Sequence, residues 1–274
     1  MIYYPNAKIN LGLNVLNRRP DGFHNLETVF YPVPLCDIIE VTEKQGGRPG
    51  EVEFSAGGFP ISGDGSNLCV KAFESLAKDC ELPFTRIHLY KRIPMGAGLG
   101  GGSSDAAHTL VALNYIYDLG LRPDDLVRHA AQIGSDCAFF IKNEPVFATR
   151  RGDCFHETHV DLSGWNLVLV YPNIHVGTAE AYACVDKHPD DRGLRRNIEQ
   201  PVEEWRHHIY NDFEGSVFPL HPQIDLLKDK LYEVGAVYAS MSGSGSTCFG
   251  LFKEEIDLSV FDDYFTWQGK LLSS

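Results

Sequence analysis

The chain changes period along its length. In "KINLGLNVL" (8–16) Ile9, Leu11, Leu13 and Val15 alternate with Lys8, Asn10, Gly12 and Asn14. Period 2 predicts a strand with one buried face, with Lys8 and Asn10 adjacent on the other. "LETVFYPV" (26–33), "DIIEVTE" (37–43) and "TRIHLYKRI" (85–93) read as further strands. From Asn67 the spacing turns helical, with Val70, Phe73, Leu76 and Ala77 on one face. A second helical stripe runs through Ala106, Ala107, Leu110, Val111, Leu113 and Tyr117 and ends at Gly120, with Pro123 beyond. A third spans about 124–133 and stops at Gly134; "SDCAFFI" (135–141) starts a short element and "PVFATRRGD" (145–153) reads as strand and turn. Beyond these, "WNLVLVYP" predicts a strand, while "TAEAYACV" and "QIDLLKDKLYEVG" predict helices. "AVYASMS" and "STCFGLF" predict strands flanking "GSG". Loops are expected at "RPDGF" (19–23), "GGRPG" (46–50) and "SGDGS" (62–66). Strands and helices mix without βαβ alternation, which favours an α+β fold over a doubly wound sheet.

Composition narrows the function classes. The 274 residues are 43% hydrophobic, enough for one large domain or two small ones. A net charge of -13 and the lack of any basic run argue against nucleic-acid binding. Any anionic substrate must therefore be attracted locally. The cysteines at 36, 69, 80, 137, 154, 184 and 248 form no C-x-x-C pair and are odd in number, as expected of scattered reduced thiols. The N-terminus has no secretory pattern, and apolar runs such as "NLVLVY" are far too short to cross a bilayer. The expectation is a cytoplasmic protein without membrane partners.

The strongest local signal is "PMGAGLGGGSSDAA" (94–107), in which five of the seven residues from Gly96 to Gly102 are glycine. A Walker loop fails, because Gly102 stands where its lysine should be. Gly96, Gly98 and Gly101 match G-x-G-x-x-G, but the acid at the right distance, Asp118, falls in a predicted helix and no parallel strand follows promptly. The remaining reading is a phosphate cradle in which glycines admit an anion to the backbone. Ser103 and Ser104 would offer hydroxyls, and the helix start would offer N–H groups and its positive dipole end.

This stretch is very similar to the ATP-binding signature of the GHMP kinase superfamily. "PNAKINLGLNV" (5–15) resembles the superfamily's first motif, and "SMSGSGSTCFGLF" (240–252) its third. The arrangement "RPDGFHNLETVF", "GGGSSDAA" and "GSD" followed by "FF" most resembles the members that act on a cytidine-diphosphate-linked methylerythritol. The resemblance implies a two-domain fold. An ATP-binding N-terminal domain (1–155), like the second domain of ribosomal protein S5, would precede a ferredoxin-like C-terminal domain (156–274) on the acceptor side. It implies ATP-dependent phosphorylation of the acceptor's 2-hydroxyl, with ATP and Mg²⁺, in non-mevalonate isoprenoid synthesis.

Site residues follow by resemblance. Asp136 and Lys8 match the catalytic pair; on the residues alone, an Asp after Gly-Ser is more often a helix N-cap. Asn67 and Lys91 are placed near adenine, although Lys91 reads equally as a solvated strand lysine. Pro94, Gly96, Gly98, Gly100, Gly101, Gly102, Ser103 and Ser104 would hold the triphosphate. Asn10, Phe23, His24, Phe30, Tyr182, Gly243, Ser244 and Gly245 would face the acceptor, with the aromatics around cytosine and His24 reading its edge. Asp136, beside a helix start and a lysine, is expected to be ionised. Its ligands for Mg²⁺ are not legible; Ser103 or Ser104 would be the candidates.

Two departures stand out: Cys137-Ala138 where the family commonly has Val-Pro, and Phe23 where it often has Tyr. Cys137 is expected to be a small packing residue. "HETH" (156–159) lacks zinc-ligand spacing and reads as a solvated hairpin. Mevalonate, homoserine or a sugar would be the alternative acceptors, but none has a base to stack on "DGFH". A catalytically dead nucleotide- or metabolite-binding sensor would be expected to lack Asp136 or Lys8, and both are present. A monomer or weak homodimer is expected.

Overall fold

The computed structural model describes residues 1–61, 67–183, 185 and 192–271; the "SGDGS" loop and Cys184 lie outside them. The first strands are β1 (Ile2–Tyr3), β2 (Asn6–Arg18), β3 (His24–Cys36), β4 (Ile38–Glu43), β5 (Val52–Gly58) and β6 (Thr85–Lys91). They are followed by β7 (Val146–Thr149), β8 (Cys154–Glu157), β9 (Asn166–Tyr171), β10 (Tyr238–Met241), β11 (Cys248–Phe252) and β12 (Phe265–Lys270). The first helices are α1 (Leu68–Ala77), α2 (Gly101–Ile116), α3 (Pro123–Ile133), α4 (Phe139–Lys142) and α5 (Thr178–Ala183). The later ones are α6 (Leu194–Asn197), α7 (Val202–Trp205), α8 (Asp212–Val217) and α9 (Pro222–Glu233). The chain forms two compact units. One comprises Met1–Ala7, Leu35–Met95 and Gly100–Glu144; the other comprises Lys8–Pro34, Gly96–Leu99 and Pro145–Ser274.

The first unit holds a mixed sheet in the order β1-β4-β6-β5, antiparallel except for the parallel β5–β6 pair. Helices α1 and α2 pack together, with α3 against both. Alanines at 106, 107 and 112 of α2 are fully buried, and their small side chains permit close approach. The buried stripe of α1 is Cys69, Ala72, Phe73 and Leu76, so the predicted face is rotated and Val70 is only half-buried. Helix α2 ends at Ile116, short of Gly120, because Asp118 turns left-handed (φ 48°) and the Asn114 side chain holds Leu121 through both its N–H and its carbonyl.

Strand β6 explains Lys91. Its pleat buries Thr85, Ile87, Leu89 and Lys91 in turn. Lys91 therefore points inward with the apolar residues, and its side chain is fully buried between Asp37 and Asp105. The reading as a solvated strand lysine is overturned by this alternation. Burial opposes the ammonium, but the two carboxylates outweigh it and raise the Lys91 pKa. Burial and the neighbouring Asp37 push Asp105 up despite Lys91.

The second unit holds most of the sheet β2-β3-β7-β8, in which β3–β7 and β7–β8 are antiparallel, and the antiparallel sheet β10-β11-β9-β12. Strand β9 is central and buried along its whole length, as its unbroken apolar run requires. Helix α9 packs on β10 and β11 through Ile224, Leu227 and Leu231. The expected half-open face of β2 is closed: Asn10 and Asn14 are as buried as the leucines between them. Within this unit Leu194 and Ile209 cover Gly12, whose φ is 67°. The six cysteines among the described residues form no disulfide.

Two outcomes test this packing in urea unfolding. Gly12→Ala would place its Cβ 2.6 Å from Leu194 Cδ1 in a left-handed conformation, and is expected to cost about 1–3 kcal/mol. Lys91→Met would leave two carboxylates buried together, and is expected to cost about 3–5 kcal/mol. Unchanged unfolding midpoints would contradict each.

Candidate active site

The glycine loop passes from one unit to the other between Leu99 and Gly100. In the second unit, Gly98 (φ 79°) meets the "SGSG" loop backbone to backbone. A Cβ there would lie 2.0 Å from Ser242 O and 3.2 Å from Gly245 O. Glycine at 98 is thus required by chain packing, whatever ligand the loop receives. The same contact is tied by Ser242 Oγ donating to Gly98 O at 2.9 Å and Thr247 N donating to Ala97 O at 3.2 Å. Gly243 and Gly245, both at positive φ, close the facing turn, in which Gly245 N donates to Ser242 O at 3.0 Å. Asn211 clamps that turn from below, its side-chain amide donating to Met241 O (2.7 Å) and Gly243 O (2.8 Å). No sequence motif pointed to Asn211.

Lys8 is seated on this junction. Its main-chain N–H donates to Leu99 O at 2.9 Å, and its Nζ donates to Gly98 O at 3.1 Å and to Asn10 Oδ1. The ammonium also stands 5.2 Å from the centroid of the Phe30 ring. Asn10 is 2% exposed and its amide is spent inside the protein, Nδ2 donating to Thr28 Oγ1 at 2.9 Å. Its Oδ1 holds Lys8.

The aromatics have distinct recorded neighbours. His24 and Tyr182 are stacked, with centroids 5.1 Å apart and planes at 13°, and Phe213 meets Tyr182 edge-on at 4.7 Å. Phe30 is buried against Phe155. Phe23 is 56% exposed under the Arg151 guanidinium. In the "SGSG" turn Gly243 and Gly245 are buried and Ser244 is the partly accessible residue.

In the first unit, Gly100 caps α2 in a left-handed conformation (φ 70°), and the opening N–H groups of this sixteen-residue helix form a positive end. Gly102 and Ser103 retain accessible surface there. Ser104 does not. It is 0% exposed, its hydroxyl lies 3.3 Å from His108 Nδ1, and its N–H closes on Gly100 O. Gly101 is buried against Ile93 and Lys91, and Pro94 is also buried. Asn67 caps α1, accepting from Cys69 N at 2.8 Å.

Asp136 lies in the turn leading to α4, half-buried, with Ser135 Oγ donating to its Oδ1 at 3.3 Å. The N-cap of α4 is Ala138. Cys137 beside it is buried. Burial foremost, and the Asp136 charge, push its thiol up to about 11 against the pull of the Ser103 hydroxyl. It is a neutral packing residue at ordinary pH. Among the described residues no three His, Cys, Asp or Glu side chains are grouped to hold a metal, and no helix is long and apolar enough to cross a membrane.

The family models for the GHMP kinase N-terminal and C-terminal domains match residues 67–144 and 194–259. A 4-diphosphocytidyl-2-C-methyl-D-erythritol kinase of Parabacteroides distasonis is 47% identical, with 99% of this chain and 100% of the relative covered. One from Bacteroides fragilis is 48% identical at the same coverage. A crystal structure of 4-(cytidine 5'-diphospho)-2C-methyl-D-erythritol kinase superposes with a TM-score of 0.84 at 30% identity, covering both chains fully. The mevalonate kinase of Methanococcus jannaschii, at 14% identity and a TM-score of 0.75 over 100% of this chain and 98% of its own, shares the fold. With its mixed α/β two-domain fold, the chain belongs to the GHMP kinases, within the family of 4-diphosphocytidyl-2-C-methyl-D-erythritol kinases, and is an ATP-dependent small-molecule kinase.

Proposed function

We propose that the chain transfers the γ-phosphoryl group of ATP to the 2-hydroxyl of 4-diphosphocytidyl-2-C-methyl-D-erythritol, in isoprenoid precursor synthesis. The full-length relatives that carry this kinase's name support the acceptor. The observation that carries the chemistry is the seating of the Lys8 ammonium on the Gly98 carbonyl, inside the glycine loop itself.

Phosphoryl transfer asks the protein for positioning and for charge stabilisation. The accessible backbone of Gly96, Gly98, Gly100 and Gly102, with the Ser103 hydroxyl and the α2 N-terminus, is suited to a triphosphate. Lys8 offsets charge on the transferred group. Asp136 orients the acceptor hydroxyl and receives its proton; a loose transition state needs little proton removal early. The stacked His24–Tyr182 pair offers a flat face and a ring edge for cytosine. Asn67 and the strand end at Lys91 remain the proposed adenine side, with the Lys91 side chain itself committed to Asp37 and Asp105. Mg²⁺ is normally held by few protein groups and by the phosphates themselves, which fits a site without a three-ligand cluster among the described residues. When bound it would neutralise the phosphates, and Ser103 is the hydroxyl with surface to meet it.

We further assign 1–155 to ATP and 156–274 to the acceptor side; the two family-model matches fall one in each. The charge of -13 supports action without nucleic acid; a cytoplasmic monomer or weak homodimer is part of the proposal.

ADP release measured with Mg-ATP and a panel of acceptors tests the reading. Turnover is expected with the cytidine-linked acceptor and not with mevalonate or homoserine; the reverse would overturn the acceptor. Asp136→Ala is expected to lower kcat by about 10²–10⁴-fold with ATP binding retained. Near-normal turnover of that variant would remove Asp136 from the mechanism.

A further inference from the structure

The amide of Asn10 can face two ways, and the two ways are opposite for Lys8. With Oδ1 toward the ammonium it accepts a hydrogen bond; with Nδ2 toward it, two positive ends meet. What decides the orientation lies one residue deeper. Thr28 Oγ1 donates to Gly12 O at 2.6 Å, which spends its only proton. Toward Asn10 the hydroxyl can then only accept, so it takes Nδ2–H at 2.9 Å and turns Oδ1 to Lys8 Nζ. The main chain of Asn10 is fixed as well, its N–H donating to Ser242 Oγ at 3.2 Å, and Ser242 Oγ in turn donates to Gly98 O, the second acceptor of Lys8. Each hydroxyl in this assembly accepts one bond and donates another: Gly12 O sets the direction of Thr28 Oγ1, and the Asn10 N–H with Gly98 O sets that of Ser242 Oγ. All of these residues belong to the second unit.

We propose that Thr28, acting through Asn10, is a positioning residue that sets the direction of the Lys8 ammonium for phosphoryl transfer. This rests on the assignment of Lys8 to that transfer. Thr28 is 1% exposed, on β3 opposite Ala148, so its hydroxyl meets neither nucleotide nor acceptor. A buried hydroxyl is costly unless bonded, and this one is bonded on both sides in a way that only a Thr or Ser can reproduce. Valine has the same shape and would leave the Asn10 amide without an acceptor, and therefore free to reverse against Lys8.

The test compares Thr28→Val, Thr28→Ser and Lys8→Met for kcat, for KM of ATP and of the acceptor, and for thermal unfolding. Thr28→Val is expected to lower kcat by roughly 10- to 100-fold while both KM values stay within about twofold, the pattern of a misaligned catalytic group. Thr28→Ser, which keeps the relay, is expected to restore kcat to within about threefold of the parent. If Thr28→Val does not fold, Thr28→Ala, which leaves space instead of a methyl against the amide, is expected to show the same kcat loss. Thr28→Val at parental kcat beside an inactive Lys8→Met would overturn the inference and leave the role of Lys8 standing. A Thr28→Ser variant as impaired as Thr28→Val would mean a purely structural role and overturn it too. Full turnover by Lys8→Met would overturn the reading beneath both.

Discussion

The contact on which the second unit's chemistry depends is the approach of the Gly98 backbone to Ser242. No side chain fits between them, since a Cβ at 98 would lie 2.0 Å from Ser242 O. Because the two loops touch through main chain, the Gly98 carbonyl can accept both the Ser242 hydroxyl and the Lys8 ammonium. Asn211 fixes the far loop and Asn10 fixes Lys8, so a glycine-rich stretch that would otherwise be mobile becomes an ordered surface. Its glycines have two separate reasons to be there. At 98 the reason is another loop; at 102, where the nearest atom to a built Cβ is 3.6 Å away, packing makes no such demand.

Two buried lysines are held by different sets of acceptors. Lys91 is enclosed by two carboxylates, which absorb its charge and make it a cross-link between β6, α2 and the segment before β4. Lys8 is gripped by an amide oxygen and a main-chain carbonyl. Burial is nearly the same for the two, at 3% and 1% exposure.

The sequence exposed the parts of this arrangement that have local causes. The apolar run of β9, the alternation of β4 and β6, and the alanine stripe of α2 were all readable from periodicity. The burial of Lys91 was readable too, since it shares its register with Ile87 and Leu89, but its charge argued the other way. What escaped reading depends on distant partners. Nothing around Asn211 marks it as the clamp of a turn thirty residues on, and Thr28 reads as an ordinary strand residue until Gly12 and Asn10 are placed beside it. The closure of the polar face of β2 likewise needs Leu194 and Ile209, which belong to short segments with no strong period. Literal G-x-G-x-x-G spacing misled for the complementary reason: it records the density of glycine and not what each glycine touches.

The central claim is that the backbone junction at Gly98 organises Lys8 for transfer. It is tested most directly by comparing kcat and far-UV circular dichroism of Gly98→Ala with those of the parent. A folded Gly98→Ala variant whose kcat has fallen by roughly 100-fold or more is the predicted result. A Gly98→Ala variant that turns over like the parent would contradict the account.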